Sequence, residues 1–124
     1  MQDRKIEVFT EEDEQIVSKL RAIGMTRKAA KVLTYLMQKG AGAARDIEIS
    51  ADLRQPEVSV GLKELSTWLD VELVTRAGYR RPVTIYAMKV PFKEVVNHYY
   101  DIACKNRNAV TIAYKSLVEM HAKV

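Results

Sequence analysis

The stretch LRQPEVSVGLKEL, residues 53–65, decides how the rest of the chain is read. Its apolar residues recur at helical spacing, yet Pro56 comes early and Gly61 sits in the middle. Placed at 100° per residue from Val58, the residues Leu62, Leu65 and Leu69 fall within about 40° of it, a narrow stripe suited to a core. The spacing predicts a helix over residues 55–69. Pro56 fits its first position, where no amide donor is needed, with Gln55 or the preceding turn as the cap. A mid-helix glycine costs roughly 1 kcal/mol relative to alanine, so Gly61 implies that a neighbouring helix approaches closely.

The opposite face of this helix carries Pro56, Ser59, Val60, Lys63 and Thr67. It is short near the N-terminus, cationic one turn on, and free of acids. A helix entering a major groove needs such a face. Short side chains permit close approach, Ser or Gln can bond base edges, and an apolar group can meet a thymine methyl. The amides of the helix N-terminus suit phosphate. The plain alternative is a solvated face that lacks acids by chance, and the flanking segments decide between the two.

Upstream, Thr10-Glu11-Glu12-Asp13 has the form of a helix start, with Thr10 as cap and acids in the first turn. Ile16, Leu20 and Ile23 follow on one face, and Gly24 ends the segment. Thr26 can cap a second helix with Ala29, Val32, Leu33 and Leu36 inward, stopped at Lys39-Gly40. AGAA reads as a short link of small residues, and ARDIEISADL, residues 44–53, as a third helix with Ile47 and Ala51 inward.

After Asp70 the period changes. VELVTR, residues 71–76, and PVTIYAM, residues 82–88, are strand-like. AGYRR lies between them, with Gly78 able to take the positive φ of a hairpin turn. From Pro91 to Val124 the chain reads as one long helix with no further Gly or Pro. Three short helices, a longer one, a hairpin and a terminal helix make the plan of a winged helix: mainly α with a small β-hairpin. Residues 1–90 are the expected winged-helix DNA-binding domain. Residues 91–124 are the expected C-terminal dimerisation helix of the same compact unit.

Over about residues 15–90 the chain resembles the archaeal winged-helix transcriptional regulators, in the broad group related to the ArsR and MarR regulators. Asp46-Ile47 on a short helix, LRQPEVS opening the next, and a wing ending in RRP before an Ile-Tyr strand carry the resemblance. It implies that Arg54, Gln55, Ser59 and Lys63 belong to a recognition helix, and Arg80 and Arg81 to the wing. From the residues themselves, Val60 joins the base-reading face, and Arg76 and Tyr79 join the wing. There, arginine contacts phosphate or the minor groove and a phenol can bond phosphate.

From Arg45 to Arg81 six Lys or Arg (Arg45, Arg54, Lys63, Arg76, Arg80, Arg81) face seven acids (Asp46, Glu48, Asp52, Glu57, Glu64, Asp70, Glu72), a net charge of −1. A positive surface in this half therefore requires spatial segregation. Glu57, near the helix start, is favoured there by the helix dipole.

On the terminal helix, Val95, Ile102, Ala109 and Ser116 repeat every seven residues, as do Phe92, Tyr99, Asn106, Ala113 and Met120. This is a heptad-like seam with small residues for close contact and Asn106 to fix register. About 30 residues make a helix of roughly 45 Å, longer than a small winged domain covers, so the excess is expected on a second copy. A tail folded back over the first helix is the alternative. His98, Asp101 and Cys104 do not match the paired metal-ligand spacing of the related metal sensors, and no metal or cofactor is expected.

The 124 residues fit one domain, and 48% hydrophobic with 29% charged residues is a globular balance. A net charge of +4 permits a polyanionic partner. One cysteine, Cys104, excludes an intramolecular disulfide and suits a reducing cytoplasm. The charged start MQDRKIEVFTEEDE lacks a signal core, and no run is apolar enough to span a membrane. No P-loop, dinucleotide fingerprint or nucleophile elbow points to an enzyme. The expectation is a cytoplasmic homodimeric regulator that binds double-stranded DNA in a sequence-specific way. The alternative is a winged-helix protein–protein adaptor of the transcription machinery without DNA binding. Neither operator nor effector is readable.

Overall fold

The computed structural model describes residues 8–122, with side chains through residue 120. The charged start at residues 1–7 and the last two residues of the chain lie outside it.

Among the described residues, five α-helices and a small antiparallel sheet form the fold: α1 (Glu11–Ala22), α2 (Arg27–Lys39), β1 (Ala41–Ala43), α3 (Ala44–Ala51), α4 (Gln55–Glu64), β2 (Leu69–Val74), β3 (Val83–Met88) and α5 (Phe92–Ala122). Thr10 starts α1 through a reciprocal pair of bonds. Its Oγ1 accepts from the Asp13 amide at 3.2 Å, and its own amide donates to Asp13 Oδ2 at 2.9 Å. Thr26 caps α2 by accepting from the Ala29 amide at 3.3 Å. Ala29, Val32, Leu33 and Leu36 are fully buried on α2, the central helix, as their spacing predicts. Val17, Leu20, Ile47, Ala51, Val58, Leu62 and Leu65 close around it.

The strand order is β1-β3-β2. β1 is the AGA segment read from sequence as a link. It pairs with β3 at Ala41–Ala87, Gly42–Tyr86 and Ala43–Ile85. Small residues have little strand propensity, which hides the element. At Gly42 the absence of a side chain has a packing reason, since a Cβ there would lie 2.5 Å from the Tyr35 ring.

The helix expected over residues 55–69 is shorter. It stops at Glu64, a 3-10 turn covers Ser66–Trp68, and Leu69 already belongs to β2, paired with Met88. Leu69 is buried, but from a strand, so its place on the helical stripe coincided with a different element. The cap comes from the preceding turn, one of the two expected sources, while Pro56 sits one residue later than expected. Arg54 is the N-cap and Pro56 the second helical residue, still within the turn whose amides have no helical partner. Gly61 does what the sequence implied, since a Cβ there would stand 2.8 Å from the Lys28 carbonyl oxygen on α2.

Candidate nucleic-acid interface

α3, the turn at Asp52, Leu53 and Arg54, and α4 form a helix-turn-helix. Asp52 takes the left-handed conformation at φ 53°, and Leu53 is buried beneath the turn. Buried Lys31 reaches from α2 and donates from Nζ to the Ala51 carbonyl at 2.7 Å. That bond satisfies a carbonyl at the end of α3 and fixes the turn that aims α4.

The outer face of α4 is open. Gln55, Pro56, Ser59, Val60 and Lys63 are all exposed, and so is Thr67 just beyond the helix. Val60, a bare β-branched side chain, is 49% exposed. Arg54 is exposed at the N-cap rather than within the helix. Arg45, Arg54, Lys63, Arg80 and Arg81 make no ion pair within 4 Å among the described residues.

Three of the acids that make this half net negative are engaged within the fold. Glu57 accepts from the Arg54 amide at 3.0 Å and meets Arg27 at 3.5 Å. The Arg54 amide bond holds its carboxyl below the usual carboxylate range; desolvation opposes it, and the charges of Arg27, Lys28 and Arg54 add to the lowering. Asp46 accepts from the Ala43 amide at 3.3 Å, the start of α3, and pairs with Arg76 at 3.8 Å. Glu64 accepts from Thr26 at 3.1 Å and from Tyr99 at 3.2 Å.

At the wing, Gly78 has φ 85° and the Tyr79 amide donates to the Arg76 carbonyl at 3.1 Å. Tyr79, Arg80 and Arg81 are exposed at the tip. Arg76 differs from expectation. Its guanidinium is directed at Asp46 and largely covered, so it braces the base of the wing against α3. Two cations escaped the sequence reading altogether. Arg27 and Lys28 open α2 beside the start of α4 and act on Glu57 together with Arg54. Their signal was the Gly61 contact, which brings that turn of α2 against α4.

The seam expected on α5 divides in two. Val95 is fully buried in the core of its own chain, with Phe92 and Tyr99 packed against that core. This end of the seam is intramolecular, contrary to the expectation that it faces a second copy. Residues 105–120 are exposed throughout. At 100° per residue, Phe92, Val95, Tyr99, Ala103, Asn106, Val110, Ala113, Tyr114 and Leu117 lie within about 60° of Val110. One stripe thus runs from the core off the edge of the domain. Ile102 and Met120 lie at its margin and Ala109 outside it, because a strict seven-residue repeat drifts about 20° per heptad around a straight helix. Val110, Tyr114 and Leu117, missed by the heptad reading, are 68%, 67% and 65% exposed.

His98 packs edge-on to Trp68 at 5.0 Å between ring centroids. No group of three His, Cys, Asp or Glu side chains converges as a metal site among the described residues. No helix among them is long and apolar enough to cross a membrane.

No protein-family model matches the chain, and no curated protein matches its sequence. Solved structures do match its fold. A “possible transcriptional regulator” from Methanosarcina mazei Go1 superimposes with a TM-score of 0.56 at 19% identity, covering 94% of this chain and 95% of that one. NadR, solved in complex with 4-hydroxyphenylacetate, gives 0.51 at 12% identity over 100% of this chain and 99% of that one. BpsR of Bordetella bronchiseptica, described for regulation of its DNA binding by 6-hydroxynicotinic acid, gives 0.50 at 15% identity over 90% and 87%. The architecture, mainly helical with a small antiparallel sheet and a long C-terminal helix, is that of the winged-helix regulators.

Proposed function

We propose that this chain is a cytoplasmic transcriptional regulator that binds double-stranded DNA in a sequence-specific way as a homodimer, in the manner of the ArsR and MarR regulators it resembles. The archaeal affinity of that resemblance belongs to the same proposal. α4 enters the major groove with Gln55, Ser59, Val60 and Lys63 toward the bases, and Arg54 toward adjacent phosphate. Tyr79, Arg80 and Arg81 lie over the neighbouring backbone, and Arg27 and Lys28 add cations beside the start of α4. The exposed stripe beyond Tyr99, centred on Val110, Tyr114 and Leu117, is covered by the second copy.

The observation that carries this reading is the segregation of charge. Glu57, Asp46 and Glu64 are occupied by caps and internal partners, while the outer face of α4 and the wing tip keep unpaired cations. Those three carboxylates keep their charge but are held by partners on α2, α5, the base of the wing and the starts of α3 and α4. A second reading, the protein–protein adaptor, is favoured by Val71 and Leu73, which leave apolar side chains 61% and 68% exposed on β2.

Salt titration separates the two. A DNA-binding chain loses affinity for random duplex linearly in log salt, with a slope of about 0.9 per neutralised phosphate. Arg80→Ala with Arg81→Ala is expected to weaken binding to all duplexes alike and to flatten the slope by up to about 2 units. An unchanged slope removes the wing from the interface. Absence of any salt-dependent duplex binding favours the adaptor.

A further inference from the structure

α4 is a ten-residue helix whose inner side rests on apolar contacts of Val58, Gly61 and Leu62. Close packing there, with Gly61 set against the Lys28 carbonyl on α2, seats the helix but leaves small rolls about its axis to be set by other contacts. The directional bonds are at its two ends. Glu57 meets Arg27 at the start, and Glu64, the last helical residue, meets Thr26 at 3.1 Å. Thr26 and Arg27 are adjacent at the head of α2, so one turn of the central helix holds both ends of α4.

Glu64 has a further partner. The Tyr99 hydroxyl, on α5, donates to its Oε2 at 3.2 Å. The Tyr99 ring packs against Trp68 at 5.9 Å and is also in contact with His98. Burial, and then the charge and bond of Glu64, push its phenol up to about 12, so the hydroxyl keeps its proton and donates. Tyr99 also lines a groove of about 440 Å³ between the end of α1 and α5, with Ile23, Ile102, Ala103 and Val110 in its walls. Two of those residues, Ala103 and Val110, belong to the stripe on α5.

We propose that Tyr99, through Glu64 and Thr26, is a positioning residue that sets the roll of α4 against α5 and so couples the helix that carries the apolar stripe to the face that reads DNA. This rests on the reading of α4 as a recognition helix. Apolar packing alone places α4 on the domain. The tie places its outer face relative to a second copy, and two recognition helices must match two half-sites at once.

The test uses the full chain. Tyr99→Phe keeps the ring against Trp68 and removes only the hydroxyl, and Glu64→Gln keeps an acceptor for both partners. Backbone amides over residues 61–66 are expected to exchange hydrogen several-fold faster in Tyr99→Phe with the melting temperature nearly unchanged. The preference for a selected duplex over a random one is expected to fall about tenfold in Tyr99→Phe. In Glu64→Gln it should stay within about twofold of wild type. Wild-type exchange and preference in Tyr99→Phe overturn the proposal. Faster exchange with an unchanged preference also overturns it, because the bond then serves the fold alone. A wild-type chain that prefers no duplex overturns the DNA reading itself, a different failure, whatever the exchange rates show. If Tyr99→Phe lowers the melting temperature markedly, Glu64→Ala read at a temperature where both chains are folded decides the same two outcomes.

Discussion

A chain carrying Val110→Asp with Leu117→Asp is expected to sediment as a monomer and to bind a palindromic duplex about 10²–10⁴-fold more weakly than wild type. The loss follows from geometry. Two recognition helices on one dimer make the second half-site an intramolecular target, and a monomer gives up that effective concentration although the base contacts of each subunit are unchanged. Both residues lie on the exposed part of α5, 68% and 65% exposed and outside the buried cluster, so the monomer keeps its folded core. Carboxylates there meet no cost in the isolated chain. In a closed interface two of them would be desolvated without partners. Analytical sedimentation with a binding titration checks both parts. If the double variant remains a dimer, the stripe is not the interface. If the wild-type chain is itself a monomer at micromolar concentration, the homodimer goes, and the palindrome with it.

The second large effect contrasts the two faces of α4. Leu62→Ala should cost about 2–5 kcal/mol by leaving a cavity against α2. Leu62 is 7% exposed and belongs to the core cluster, and Gly61 beside it already meets the Lys28 carbonyl. Backbone in contact with backbone leaves little room to collapse into the space. Ser59→Ala or Lys63→Ala, on the open face, should stay within about 0.5 kcal/mol of wild type. Those two changes should instead alter which duplex is preferred. Denaturant titration and duplex selection on the three variants test the pair of claims. A Ser59 or Lys63 variant that melts early, or a Leu62 variant that does not, contradicts the division of faces.

Much of this was legible in residue pattern. Thr10 and Thr26 as caps, Gly24 and Gly40 as stops, and the inward faces of α2 and α3 all rest on local chemistry that tertiary contacts did not override. Gly61 announced its neighbour because a mid-helix glycine needs a reason. The failures have physical causes too. β1 is three small residues whose strand character comes only from pairing with β3. The end of α4 was hidden because Leu69 serves the same core from a strand as it would from a helix. The split of α5 into a core half and an exposed half depends on where the domain ends, which no periodicity reports. The heptad template then carried the reading toward Ala109 and away from Val110 and Leu117. Arg76 carries the same charge as Arg80, and only the fold shows that Asp46 is within its reach.

The central claim, that the outer face of α4 reads duplex sequence, is tested most directly by selecting bound duplexes from a random pool with the full chain. The selected sequence is expected to be two-fold symmetric, its half-sites about 34–36 Å or a multiple of that apart along the helix axis. The chosen bases are expected to shift when Ser59 or Lys63 is replaced by alanine. A pool that stays random through repeated rounds contradicts the claim.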